Sequence, residues 1–369
     1  MRKIKFAGFL AAAALMLAAC SSSELASTTT AAPVVETTVE AAETTEAVAV
    51  AEKEAAVETK AEEEVKTEDA AESEEPMTVT LGIPKAPPAL AVLRMMDAEM
   101  LGENVTFKLD VWDAPEQLIA MVQDGNHDMF AFPLTVVSKL HNKGLDVRLT
   151  NVNTWGVTYF LTTDPEFSEW SQLKGKTVYI PLQSSPPDAL TQFFMNEAGL
   201  KVGEDVEIIY STTSEISQMM SAGKIEYATL IEPQVTAAKM NNENVRVAFS
   251  FEDEWKKVKE DESIVPNAGF GTTQRFIDAN PGFVEEFEAA YEEALAWVLE
   301  NPAEAGALAE EHLGLKAKLV EKALPNMGLT YKNAWDAKAE LGEFYQLLLD
   351  FNPEMIGGKL PDETMYFGE

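Results

Sequence analysis

From Thr78 onward the chain alternates short apolar runs with segments whose apolar residues recur every three or four positions. Thr78 to Ile83, Val105 to Trp112, Met129 to Phe132 and Val147 to Val152 predict strands. Between them Pro115 to Gln123 places Leu118, Ile119 and Val122 on one face of a helix. The same order then starts again with strands at Thr177 to Ile180, Val206 to Tyr210, Tyr227 to Ile231 and Val245 to Phe249. Strands that alternate with helices imply βαβ units and mainly parallel sheets. Near the C-terminus Phe283, Phe287, Tyr291, Leu295 and Val298 form one stripe, which predicts a core-facing helix.

The two series match in detail. Ile83-Pro84, Pro87-Pro88 and Ala89-Leu90 are repeated as Ile180-Pro181, Pro186-Pro187 and Ala189-Leu190, with three extra residues in the second copy. Gly102-Glu103-Asn104-Val105 corresponds to Gly203-Glu204-Asp205-Val206, Met121 to Met219 and Gly125 to Gly223, and each of the last glycines leads to Asp128 or Glu226 and a strand. Matches that keep their order predict two lobes of one design. In an open α/β sheet the loops at the carboxyl ends of the strands gather ligands, and both Pro-Pro stretches fall there. Ser184 and Ser185 are placed to cap a helix that begins at Pro186, leaving its N-terminus open to an anionic or carbonyl group. Taken alone, each Pro-Pro stretch equally suits a stiffened turn.

Composition changes the picture at the front of the chain. Arg2, Lys3 and Lys5 precede an apolar run from Phe6 to Ala19, and Leu17-Ala18-Ala19-Cys20 follows the pattern of a secretory signal ending in a lipid-attachment site. Residues 1–19 are therefore expected to be a signal peptide and Cys20 the lipidated first residue of the mature chain. Cys20 is the only cysteine, so no internal disulfide is possible. Residues 20–76 hold 16 acidic and 3 basic residues, with no Gly and no aromatic residue. Such a segment cannot bury enough surface to offset its ordering entropy, and a disordered acidic tether is expected. Most of the net charge of −34 lies beyond the tether, which argues against nucleic acid as a partner.

Leu173-Lys174-Gly175-Lys176-Thr177-Val178, the Gly125-x-x-Asp128 and Gly223-x-x-Glu226 turns, and Glu232-Pro233 together resemble the substrate-binding lipoproteins of nitrate/sulfonate/taurine-type (NitT/TauT) ABC importers, a family that includes binders of a thiamine precursor. Residues 281–305 and Ile356-Gly357-Gly358-Lys359-Leu360-Pro361 resemble the same family. The resemblance implies a type II periplasmic-binding-protein-like α/β fold: two lobes joined by two crossings, with a small solute held between them. The crossings are expected near Leu161 to Pro165 and Val265 to Gly271, with residues 77–163 plus 270–369 in one lobe and 164–269 in the other. It further implies a monomer that delivers a small organic solute to an ABC permease and its ATPase from the extracytoplasmic face of the cell membrane. A solute receptor for a membrane sensor is the alternative that the sequence leaves open.

The candidate ligand-binding residues are Lys85, Trp112, Phe132, Pro133, Trp155, Gln183, Ser184, Ser185, Glu232 and Asn267. Lys85 either meets a negative ligand group or is a solvated surface lysine. Trp112 and Trp155 either stack on a flat ligand or pack in the core. Glu232 either accepts hydrogen bonds from ligand or caps a loop, and Asn267 reaches either the ligand or a turn. An enzyme on this fold is the less favoured reading. The fold's pyrimidine-synthesising relatives depend on a cysteine-rich motif and a histidine, whereas Cys20 is committed to the anchor and His127, His141 and His312 lack metal-ligand spacing. Gly175-Lys176-Thr177 matches the end of a phosphate-binding loop, but Trp170 replaces its first glycine and the trio precedes its strand. No cofactor and no metal are expected.

Overall fold

The computed structural model describes residues 75–259 and 262–368. The expected signal peptide, Cys20 and nearly all of the acidic segment lie outside the described residues. The strands are β1 (Met77–Pro84), β2 (Val105–Trp112), β3 (Met129–Pro133), β4 (Val147–Leu149), β5 (Asn151–Trp155), β6 (Thr158–Thr162), β7 (Thr177–Ile180), β8 (Glu207–Tyr210), β9 (Tyr227–Ile231), β10 (Arg246–Ser250), β11 (Pro266–Thr273) and β12 (Leu329–Asn333). The helices are α1 (Ala89–Asp97), α2 (Pro115–Asp124), α3 (Leu134–Asn142), α4 (Pro186–Glu197), α5 (Thr213–Ser221), α6 (Gln234–Asn241), α7 (Phe251–Lys259), α8 (Gln274–Ala279), α9 (Phe283–Glu300), α10 (Pro302–Leu313), α11 (Ala317–Ala323) and α12 (Lys338–Phe351).

The strands form two sheets, ordered β12-β5-β11-β3-β1-β2 with β4 also beside β11, and β10-β6-β9-β7-β8. The repeat read in the sequence is visible as β2-β1-β3 in one sheet and β8-β7-β9 in the other, all parallel. Their registers agree, since Gly82 pairs with Phe130 and Tyr179 with Ala228. Each parallel set is then closed by the strand that has just crossed over from the other sheet: β11 runs antiparallel to β3, and β6 antiparallel to β9. The sheets are thus more mixed than alternation alone predicts, because a returning strand enters from the opposite end. The chain changes sheet between Trp155 and Thr158 and again between Lys259 and Pro266. The first point lies upstream of the expected Leu161 to Pro165, since β6 pairs with β9 over its whole length, and the second overlaps the start of the expected Val265 to Gly271.

Local chemistry sets the helix ends that carry the site. Gly125 and Gly223 follow α2 and α5 with φ of +71° and +65°, the left-handed conformation that glycine adopts without a Cβ penalty. Asp128 then fastens β3 to β1, its carboxylate accepting from the Thr80 N–H at 2.8 Å. In α9 all five residues of the predicted stripe are buried, and its Tyr291 hydroxyl donates to the carbonyl of Pro88 at 2.9 Å, holding the loop after β1. The helix α12 carries the first lobe onto the second: Phe351 meets Phe193 of α4 edge-on, Phe344 lies against Trp255 of α7, and Glu343 pairs with Lys259 at 2.8 Å.

Candidate functional site

The carboxyl ends of the two parallel strand sets face one another across a cavity of ≈ 280 Å³. The first lobe contributes the loop Pro84 to Pro88 after β1, Trp112 and Asp113 after β2, and Phe132 and Pro133 at the end of β3. The second contributes Leu182, Ser185 and Pro187 after β7, Thr212 to Ser214 after β8, and Ile231, Glu232 and Gln234 after β9. Thr154, Val157, Asn267 and Ala268 complete it at the crossings. Three strand-to-helix junctions from each lobe therefore converge, as the repeat requires. Hydrogen bonds join the lobes: Thr135 Oγ1 donates to the carbonyl of Ser184 at 2.7 Å, Tyr159 to that of Asn326 at 3.2 Å, and Asn267 Nδ2 to Thr158 Oγ1 at 3.0 Å.

Of the candidate residues, the structure brings Lys85, Trp112, Phe132, Pro133, Ser185, Glu232 and Asn267 together on the cavity wall. It places three elsewhere. Trp155 is turned into the core, where its indole N–H donates to the carbonyl of Thr330 at 2.9 Å. Gln183 and Ser184 lie in a smaller depression against α2 and α3. Ser184 holds a left-handed φ of +66°, its N–H donating to Asp188 Oδ2 at 2.7 Å. The expected serine cap of α4 is also corrected. Ser185 stands at the N-cap position, but its hydroxyl makes no capping bond, and Pro187 at the second helical position has no N–H for it to accept.

Glu232 is 2% exposed and caps α6, accepting from the Thr236 N–H at 3.0 Å and its hydroxyl at 2.9 Å. Burial pushes its carboxyl above the usual range, opposed by those two bonds. Burial likewise raises Asp188, behind Pro187, against hydrogen bonds from Ser184, Gln192 and Tyr210. Two buried polar atoms on the cavity wall have no hydrogen-bond partner among the described residues, Trp112 Nε1 and Ser185 Oγ. Such atoms cost roughly 1–3 kcal/mol each when left unpaired.

Sequence reasoning passes over Thr212, Thr213 and Ser214. The signal is present, since Thr212-x-x-Glu215 is a capping box after β8, with Glu215 N–H donating to Thr212 Oγ1 at 3.3 Å. The repeat sets this junction opposite Trp112 and Asp113. Among the described residues no group of His, Cys, Asp and Glu is arranged to hold a metal ion, and no helix is long and apolar enough to cross a membrane.

This architecture is that of the periplasmic binding proteins. An ABC transporter structure from Parabacteroides distasonis superimposes with a TM-score of 0.66 at 21% identity, covering 79% of this chain and 99% of that one. The periplasmic aliphatic sulphonate binding protein SsuA from Escherichia coli gives 0.65 at 17%, covering 80% and 93%. The periplasmic nitrate-binding protein NrtA from Synechocystis PCC 6803 gives 0.59 at 15%, covering 76% and 82%. At these identities the likeness establishes the fold. The chain belongs to the NMT1/THI5-like family, whose model matches residues 105–305. A relative, YtlA of Bacillus subtilis (strain 168), whose name marks it as a proposed binding protein, is 26% identical over 136 residues; the match spans 37% of this chain and 38% of YtlA.

Proposed function

We propose that the chain is an extracytoplasmic solute-binding lipoprotein that captures a small organic solute between its lobes and delivers it to the permease of an ABC importer. The observation that carries this reading is the cavity itself, walled by strand-end loops of both lobes. A solute that touches both lobes stabilises their closed arrangement by its differential affinity for it. Moving the equilibrium from 1:99 to 99:1 takes about 5.5 kcal/mol, within reach of a few hydrogen bonds and a buried apolar body. The names of the relatives are those of binding proteins and a transporter.

Solution scattering tests the mechanism. The radius of gyration of protein freed of solute is expected to fall when the solute recovered from gently purified protein is added back at saturation. An unchanged radius with measurable binding removes the closing step, and recovery of a bare inorganic ion by mass spectrometry removes the organic solute.

The anchor belongs to the same proposal. Cys20 receives the lipid, residues 1–19 are removed, and the acidic segment tethers the lobes to the extracytoplasmic face of the membrane. Cys20→Ser is expected to move the protein from the membrane fraction to the soluble fraction, or to leave the signal attached. Metabolic labelling with a fatty-acid analogue that still marks the variant counts against the assignment.

A further inference from the structure

The second copy of the repeat carries three residues that the first lacks. Two of them lengthen the stretch between the prolines, where Leu182 to Ser185 take the place of Lys85-Ala86. The third is Asp188, which stands between Pro187 and Ala189, whereas Ala89 follows Pro88 directly. The structure joins these additions in one contact. Asp188 lies in the first turn of α4 and is 2% exposed. Gln192 Nε2 and the Tyr210 hydroxyl donate to its Oδ1 at 2.7 and 2.9 Å, and the Ser184 N–H donates to its Oδ2 at 2.7 Å. Held in this way, Ser184 turns its carbonyl to the other lobe, where Thr135 Oγ1 in the first turn of α3 donates to it at 2.7 Å. Thr135 is fully buried.

The reach across to the first lobe has a conformational cost. Leu182 and Ser184 have φ of +54° and +66°, left-handed values that a Cβ disfavours. Such residues persist where surrounding contacts over-determine them, and they cluster at ligand clamps and switches. Here those contacts are the Asp188 carboxylate, the Ser185 N–H donating to the Leu182 carbonyl at 2.9 Å, and Thr135 of the opposite lobe. The loop also has two faces. Leu182 and Pro187 line the cavity between the lobes, while Gln183 and Ser184 lie against Pro115, Ile119 and Val136 of α2 and α3. Solute on one face and the first lobe on the other therefore act on the same short segment. We infer that residues 182–185, positioned by Asp188, are a clasp that the closed form makes between Ser184 and Thr135 and that sets how fast bound solute leaves. Opening the lobes breaks the Thr135 bond and lets Ser184 leave the left-handed region. The inference rests on the binding-protein reading and adds the device that holds the closed lobes together.

The test follows the solute that copurifies with gently purified full-length protein, its loss after transfer to solute-free buffer being timed by native mass spectrometry. Thr135→Val keeps the shape of the side chain and removes its hydroxyl, and release is expected to become about fivefold faster. Ser184→Gly lifts the penalty on the left-handed φ, and release is expected to become about threefold slower. The solute-free Thr135 variant is expected to melt at the parent temperature, because the bond belongs to the closed form. Opposite shifts from the two ends of one hydrogen bond separate a clasp from a general loosening of the fold, which speeds release and lowers the melting temperature together. If both variants release solute at the parent rate, the clasp is overturned and the binding protein stands. The same holds if faster release in Thr135→Val comes with a lowered solute-free melting temperature. If no solute copurifies with the parent, the binding-protein reading loses its support and takes the clasp with it.

Discussion

Gly269→Ala is expected to destabilise the protein by about 3 kcal/mol or more, lowering its melting temperature by roughly 6 °C or more. Gly269 lies in β11, opposite Phe132 of β3. A Cβ built there would sit 1.9 Å from the carbonyl oxygen of Asn151 and 3.1 Å from the Cα of Val152, both backbone atoms of β5. Neither is free to withdraw. The Asn151 side chain accepts from the Phe270 N–H at 3.0 Å and donates to Glu288 at 2.8 Å. The clash reaches the cavity directly, because Asn267 and Ala268 precede Gly269 and Thr154 follows on β5. Gly342→Ala is the control. That glycine lies within α12, and a Cβ there would meet nothing within 4 Å, so alanine is expected to add about 0.5–1 kcal/mol of stability. Thermal unfolding followed by circular dichroism separates the two. If the Gly269 variant melts at the wild-type temperature, the close approach of β11 and β5 is not what sets this part of the sheet.

The contrast between these glycines also explains which strands are legible from sequence. Runs such as Thr177 to Ile180 and Tyr227 to Ile231 are apolar and β-branched or aromatic, and they form β7 and β9. The strand β11, with the sequence PNAGFGTT, carries Pro and Gly that ordinarily mark loops. It is a strand because its glycines let β5 and β4 come close, which is a tertiary condition that no local pattern records. β6 follows β5 after only Gly156 and Val157. A crossing that short resembles an uninterrupted apolar stretch, which is why the sequence places the sheet change later in the chain than the fold does.

The candidate site divides along the same line. The internal repeat locates the junctions after β1 and β7, so Lys85 and Ser185 are legible as neighbours of one cavity despite lying a hundred residues apart. Phe132, Pro133 and Glu232 follow from the same correspondence. Trp155 does not, because its side-chain direction is set by Thr330, far along the chain. The serine cap fails although Ser185 stands at the N-cap position: Pro187, which helps to mark the helix start, removes one of the two N–H groups that a cap can bind.

Glu288→Gln is expected to stabilise the protein by about 3 kcal/mol at pH 8 and by little near pH 4.5. Glu288 lies on α9 and is 5% exposed, accepting from Asn151 Nδ2 at 2.8 Å. Burial, ahead of any neighbouring group, pushes its carboxyl up to about 7 from an ordinary 4.5. The hydrogen bond from Asn151 and the nearby hydroxyls of Thr150 and Tyr331 pull the other way, and the nearby Glu292 adds to the rise. Between those two values the folded protein keeps a proton that the unfolded chain has released. Stability is therefore full below about pH 4.5, falls as pH rises through this window, and is level above about 7. Glutamine remains neutral and still accepts from Asn151, so it removes the slope. The position bears on the cavity through a buried polar row. Thr154, on the cavity wall, donates to Asn153 Oδ1 at 2.8 Å, Asn153 donates to Asn151 Oδ1 at 2.9 Å, and Asn151 donates to Glu288. Urea unfolding of both proteins at pH 5 and pH 8 measures the effect. Equal differences at the two pH values would mean that Glu288 does not change its protonation on folding, and the row from Glu288 to Thr154 would then be a fixed scaffold.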